Sequence, residues 1–281
     1  MLNVMICRWR RLFVGVGCAV VVLYGALSGI PSFDSVVSAQ EYTQDELMKK
    51  KVAIVIDDFG NNMRGTTEMM ELKVQFTVAV MPFLPTTHRD AEWAHSLGHD
   101  VMVHLPMEPI RGLKSWLGPG AITTSLSDAE IRTRVNAAID DVPYAVGMNN
   151  HMGSKATADS RVMKIVLEVC HDRGLFFLDS RTNYKSVVTK IANQLGVRTL
   201  DNHIFLDDQY TREHINKQVA QINKFLLKHD ECVVIGHVGP PGQKTAEAIK
   251  MASRQYAGKV DFVSLQMMLS VKEQKKAEKQ T

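Results

Sequence analysis

Val52-Ala53-Ile54-Val55-Ile56-Asp57-Asp58-Phe59-Gly60 is the stretch on which the fold turns. An apolar, largely β-branched run that stops at two carboxylates and a glycine reads as a buried strand ending at a turn. The same pattern recurs along the chain. Val101-Met102-Val103 precedes His104, Phe176-Phe177-Leu178 precedes Asp179, and Val233-Val234-Ile235 precedes Gly236 and His237. A further run ends near Met148, three residues before His151. If these runs are parallel strands of one sheet or barrel, their carboxyl ends open on one face. Asp57, Asp58, His104, His151, Asp179 and His237 then converge there from positions far apart in sequence.

Strands are predicted near 52–57, 76–81, 100–104, 144–148, 175–179, 198–206 and 232–237, with a last one at 260–265. The segments between them are long enough for crossover helices. Ser127 and Glu130 form a capping box ahead of Ile131, Val135, Ala138, Ile139 and Val142 at helical spacing. Val162, Ile165, Val166 and Val169 repeat the pattern before Gly174, as do Ile215, Val219, Ile222 and Phe225 after Thr211. Alternation of strand and helix defines an α/β fold with parallel strands and outer helices. Seven or eight such units suit a (β/α) barrel better than an open sheet. Between His104 and Ser127, a loop rich in proline and glycine is placed to overhang the active face.

Composition narrows the function classes. The chain has 281 residues, 45% hydrophobic and 22% charged, with a formal net charge of +3, so nothing points to a nucleic-acid partner. Residues 1–39 combine Arg8, Arg10 and Arg11, an uncharged stretch from Leu12 to Ile30, and Val37-Ser38-Ala39. This is the pattern of a signal peptide cut after Ala39, with an uncleaved membrane anchor through residues 12–30 as the alternative. Gly15, Gly17, Gly25 and Gly29 weaken a lasting membrane helix and favour cleavage. Either way the body is exported to the periplasm, because the basic flank stays inside. Residues 40–51 form a linker, 52–268 the barrel, and 269–281 a Lys-rich tail expected to be disordered. Cys170 and Cys232 are read as separate buried thiols, and with no Cys-x-x-Cys there is no thiolate zinc site.

Two adjacent carboxylates at a strand end suit metal-assisted hydrolysis, one as ligand and one as base; a helix cap or turn is the plain alternative. His104 fits either a ligand or a hydrogen-bonded core residue. Pro106 and Pro109 keep Glu108 from joining it on one helical face. His151 lies among turn formers, yet Asp58, His104 and His151 together make a familiar open shell for zinc or a similar divalent ion. An aspartate bonded to His237 would hold that imidazole protonated as a general acid, and Asp179 is the candidate; pairing with Arg181 as scaffolding is its alternative. Asp207 and Asp208 read as a helix entrance. No Gly-x-Ser-x-Gly, Walker or dinucleotide pattern occurs.

Val-Ile-Asp-Asp-Phe-Gly (55–60), His-Leu-Pro-Met-Glu-Pro (104–109), Asn-Asn-His-Met-Gly-Ser (149–154), Leu-Asp-Ser-Arg-Thr (178–182) and Ile-Gly-His (235–237) together resemble the divergent polysaccharide deacetylase family. The resemblance implies a distorted (β/α) barrel, exported in Gram-negative bacteria and related to metal-dependent enzymes that remove acetyl groups from polysaccharide or peptidoglycan. It assigns Asp57 as base, Asp58 and His104 as metal ligands, and Asp179 and His237 as the acid-side pair. The well-studied polysaccharide deacetylases have a second histidine where Glu108 stands and an Arg-x-Pro-Tyr block that is absent here; His151 is taken to replace the missing ligand. Val238-Gly239-Pro240-Pro241 also departs from the Pro-His-Pro common in the divergent family. These departures leave a second possibility, a catalytically inactive deacetylase-like protein that binds glycan or peptidoglycan.

Overall fold

The structure, a computed structural model, describes residues 49–278. The leader or anchor at 1–39, linker residues 40–48 and residues 279–281 lie outside the described residues. Strands β1 (Lys51–Phe59), β2 (Thr77–Val80), β3 (Asp100–Met107), β4 (Ala145–Met152), β5 (Phe176–Asp179), β6 (Thr199–Asp201), β7 (Ile204–Phe205), β8 (Glu231–His237) and β9 (Asp261–Val263) form one sheet. Helices α1 (Thr66–Met70), α2 (Thr87–Ser96), α3 (Asp128–Asp141), α4 (Ser160–Asp172), α5 (Val188–Leu195), α6 (Arg212–Leu226), α7 (Gly242–Gln255) and α8 (Leu265–Glu278) fall between and after the strands.

Every strand pair is parallel, in the order β6-β5-β4-β3-β2-β1-β8-β7, with β9 added to the start of β1. The sheet curls until its two edges nearly meet. Only Asn202 and His203 separate β6 on one edge from β7 on the other, a span of at most about 11 Å. Asn202 N–H donates to Asp179 O of β5 at 2.9 Å, and His203 N–H donates to Val233 O of β8 at 3.0 Å. Two residues thus stitch the edges together where no ladder joins them. The result is the distorted (β/α) barrel. The single strand predicted at 198–206 is corrected: it is two short strands on opposite edges, divided by the turn-forming Asn202.

Side chains alternate across each strand. On β1, Val52, Ile54 and Ile56 face outward to the larger core shared with the helices, while Ala53 and Val55 face the barrel interior. Met102, Phe176, Leu178, Val233 and Ile235 join that inner layer. The interior is tight at Gly147, where an added Cβ would lie 2.5 Å from the Phe176 ring.

The capping box on α3 is present, with Ser127 Oγ accepting from Glu130 N–H and the Glu130 carboxylate accepting from Ser127 N–H. Cys170 and Cys232 are separate and buried, and burial pushes both thiols up to about 12. The disordered tail is a second correction, since α8 continues through Glu278 and buries Leu269 and Val271. Two apolar residues in register with Leu265 and Met268 gave that segment a face to dock, which its lysines obscured. No helix among the described residues is long and apolar enough to cross a membrane.

Gly147→Ala should destabilise the fold by about 1–3 kcal/mol through overpacking against Phe176. Urea unfolding measures this, and a change within about 0.5 kcal/mol would show that the inner layer is looser than described.

Candidate active site at the carboxyl ends of the strands

The inward columns of the barrel end in polar side chains. Following Ala53 and Val55, the next inward residue of β1 is Asp57; following Met102 on β3 it is His104; following Ile235 on β8 it is His237. Asp57 and His237 are register partners on adjacent strands. On β4, Asn149 and His151 follow Gly147 in the same column.

Asp58 breaks the alternation. A regular strand would turn it away from Asp57, but the β1–β2 register slips between Ile56 and Phe59, and Asp58 has φ 71°. This left-handed conformation, which Asp tolerates better than most residues, swings its carboxylate into the hollow that Asp57 faces. Gly60 fixes the exit of the turn, with φ 114° and its N–H donating to buried Asp90 Oδ2 at 2.9 Å.

Three ligand atoms meet as a result. Asp58 Oδ1 lies 3.2 Å from His104 Nε2 and 3.1 Å from His151 Nδ1, and the two ring nitrogens are 3.1 Å apart. All three atoms fall within 4.8 Å of one another, and theirs is the only such group with metal-ligating potential among the described residues. A tetrahedral cation with bonds of about 2.0–2.1 Å has donor–donor edges of roughly 3.3–3.4 Å, close to these spacings. Asp58 Oδ1 is buried and accepts no hydrogen bond of good geometry. A buried, unsatisfied carboxylate oxygen facing two imidazole nitrogens fits a divalent cation.

The surroundings set the ring orientation. Asn149 Oδ1 accepts from His104 Nδ1–H at 2.7 Å, so Nε2 presents its lone pair to the hollow. The Asn149 amide nitrogen donates to Asp57 Oδ1 at 2.9 Å, tying the free carboxylate to the same frame. His151 Nε2–H donates to the Trp116 carbonyl at 2.9 Å, which leaves Nδ1 facing inward. The loop carrying Trp116 is pinned beneath by Glu108 N–H to Ile122 O and Ile122 N–H to Pro106 O, both 2.9 Å.

Protonation follows from burial and charge. Burial raises the Asp57 pKa, with His104 and His237 partly opposing it. Burial also pushes Asp58 up, but the His104 and His151 contacts outweigh this and hold it well below the usual carboxylate range. For His104, burial favours the neutral ring, yet Asp57 and Asp58 prevail and raise its pKa.

His237 is held by Asp207, not Asp179, which corrects the predicted acid-side pair. Asp207 Oδ1 accepts from His237 Nδ1–H at 2.7 Å, while Oδ2 accepts from His237 N–H at 2.8 Å and from Thr245 Oγ1–H at 2.7 Å. Against the burial penalty, this carboxylate lifts the His237 pKa to about 10. Asp179 cannot reach it: Phe176 and Leu178 are the inward residues of β5, so Asp179 faces the other side. There it accepts from Arg181 N–H at 2.8 Å and pairs with the Arg181 guanidinium at 3.5 Å. Glu108 is no ligand either, since Lys155 Nζ and Thr124 N–H and Oγ1–H donate to it, each at 2.7 Å. Asp207, Asn149 and Thr245 are contributors that sequence reasoning missed; the apolar Ile204-Phe205-Leu206 before Asp207 was the available signal.

A parallel (β/α) barrel with two imidazoles and a carboxylate at its mouth, flanked by a second carboxylate and a carboxylate-bound imidazole, defines the class. The sequence profile of the divergent polysaccharide deacetylases matches residues 54–269, and the chain belongs to that family. An uncharacterized protein of Haemophilus influenzae is 38% identical over 205 residues, covering 73% of this chain and 72% of its own. The uncharacterized protein YibQ of Escherichia coli is 35% identical over 190 residues, or 68% and 59% of the two chains. The crystal structure of uncharacterized protein ATU2773 from Agrobacterium tumefaciens shares the fold at a TM-score of 0.70 and 19% identity, covering 76% of this chain and 86% of that one.

Two measurements check the site. Asn149→Ala should weaken divalent-metal binding by about 10- to 100-fold in a calorimetric titration, because it frees the His104 ring and Asp57 together; unchanged affinity would separate Asn149 from the centre. For His237 the folded pKa is raised above 6.5, so the stabilisation is full below that value and is lost as pH rises towards about 10. In chelator-treated protein, NMR should show His237 still protonated at pH 8, and Asp207→Asn should lower its titration midpoint. A wild-type midpoint near 6.5 would contradict the Asp207 assignment.

Proposed function

We propose that the protein is an exported, metal-dependent hydrolase that removes N- or O-acetyl groups from a cell-envelope polysaccharide, with polysaccharide or peptidoglycan as its substrate. It would act in the periplasm, with residues 1–39 cleaved as a signal peptide or kept as an inner-membrane anchor. The observation that carries the proposal is the meeting of Asp58, His104 and His151 around one hollow, with ligand atoms within 4.8 Å. The residues that depart from the better-studied deacetylases do not deplete this set, because Glu108 is engaged by Lys155 and Thr124 and His151 supplies the third donor.

Two imidazoles and one carboxylate suit zinc, held by Asp58, His104 and His151. A divalent ion there would supply Lewis acidity towards water and the acetyl carbonyl oxygen. The chain's own groups handle the protons. Asp57 accepts the proton of the attacking water; its Oδ1 is fixed by Asn149, which leaves Oδ2 as the basic atom. Its raised pKa brings it nearer the value an efficient general base requires at neutral pH. His237, kept protonated by Asp207, donates to the departing nitrogen or oxygen, and the register pairing with Asp57 sets acid and base side by side.

Metal-replete protein should release acetate from acetylated envelope glycans, and chelation should reduce release to background. Asp58→Asn should do the same with the fold retained, since Asn tolerates the left-handed backbone at φ 71°. Acetate assay with circular dichroism as the folding control checks this. Release that survives both treatments would refute the proposal, and glycan binding without release from the wild type would favour an inactive binding protein.

A further inference from the structure

Glu108 takes no part in the chemistry above, yet two stretches of the chain converge on it. Its carboxylate accepts from Thr124 N–H, Thr124 Oγ1–H and Lys155 Nζ, each at 2.7 Å. Its backbone extends the grip: Glu108 O accepts from Lys155 N–H and Ala156 N–H at 3.0 Å, and Glu108 N–H donates to Ile122 O at 2.9 Å. One residue therefore fastens the two ends of the 108–126 loop to each other. It also ties both to the segment after β4, where Lys155 stands four residues beyond His151. Burial works against the charged carboxyl, but Lys155 and Thr124 outweigh it and hold the Glu108 pKa below the usual carboxylate range.

The loop needs such a clamp. Ile110, Leu113 and Trp116 are each more than half exposed, so apolar burial does little to hold its middle. Its position nevertheless matters, because Trp116 O accepts from His151 Nε2–H at 2.9 Å. The flanks of Trp116 rest on the neighbours of that ring. A Cβ on Gly112 would come 2.7 Å from Met152 Cε, and one on Gly118 would come 3.4 Å from Pro106 Cγ. Met152 follows His151 on β4, and Pro106 on β3 is the register partner of His151. The loop thus lies over this candidate ligand, and its carbonyl sets which ring nitrogen faces Asp58.

We infer that Glu108 is a positioning residue for the cation site: it clamps the 108–126 loop so that the Trp116 carbonyl holds His151 with Nδ1 towards the hollow. Hydrogen bonds to a charged carboxylate are roughly twice as strong as neutral ones, which suits a residue at the base of a poorly buried loop. Partners that orient a ligating imidazole raise metal affinity without touching the metal. This rests on the zinc reading of the preceding section and deepens it.

The test is made on the full-length protein, with zinc as the probe, by calorimetric titration and by proton NMR of the zinc-loaded form. The wild type should show two protected imidazole protons, His151 Nε2–H on the Trp116 carbonyl and His104 Nδ1–H on Asn149. In E108A the His151 proton should be lost to exchange with water while the His104 proton stays, and zinc affinity should fall at least roughly tenfold. E108Q, which still accepts from Thr124 but loses the Lys155 ion pair, should fall between; it decides the question if circular dichroism shows E108A unfolded. Both protons kept with unchanged affinity, both lost together, or no His151 signal in the wild type would overturn the inference. Acetate release is scored on the same samples. A His151 signal and zinc affinity that depend on Glu108 in a protein releasing no acetate keep this inference and remove the hydrolase proposal. Zinc-dependent release with both protons unmoved in E108A does the reverse.

Discussion

The backbone of Asp58 is the constraint on which the rest of the site depends. Two adjacent residues of a regular strand cannot serve one pocket, because their side chains leave on opposite faces. The slipped register after Ile56 and the left-handed turn at Asp58 remove that obstacle, so one short sequence supplies both a ligand and a free carboxylate. An orphaned oxygen and a strained backbone are both unfavourable in isolation. They persist because the rigid barrel fixes the strands around them and because Gly60 and Asp90 clamp the turn. The Asp58 turn thus links β1 packing to the electrostatics of the hollow.

From there the site is built by relay. Asn149 touches both His104 and Asp57, so a single amide fixes a ring tautomer and the orientation of the adjacent base. The 108–126 loop performs a comparable task from above through the Trp116 carbonyl. On the far side, Asp207 accepts three hydrogen bonds, from the side chain and backbone of His237 and from Thr245, which makes the position and the charge of His237 inseparable. The two protonic roles sit on neighbouring strands with opposite tendencies: burial raises a carboxylate on one, and a carboxylate raises an imidazole on the other.

Much of this was legible in the chain. Val52 to Ile56 announced a buried strand, Ser127 and Glu130 announced a helix start, and the polar residues closing the apolar runs pointed to one mouth. What could not be read was which way those residues face. Phe176-Phe177-Leu178 is buried on both sides, so it carries no alternation, and nothing in it separates an inward Asp179 from an outward one. Asp207 was masked by Asp208, Gln209 and Thr211, whose turn-forming character suggested a helix entrance; Thr211 does cap α6, and Asp207 stands just before that turn. The split of 198–206 depended on barrel closure, a property of the whole sheet rather than of Asn202 and His203. Asn149 looked like a turn former because its partners lie on other strands.

Diffraction at the zinc absorption edge from zinc-soaked crystals of the protein decides whether Asp58, His104 and His151 hold a cation. One strong anomalous peak is expected, enclosed by Asp58 Oδ1, His104 Nε2 and His151 Nδ1, with Asp57 beside it and outside bonding distance. A hollow without anomalous signal, or zinc bound only at surface histidines, would contradict it.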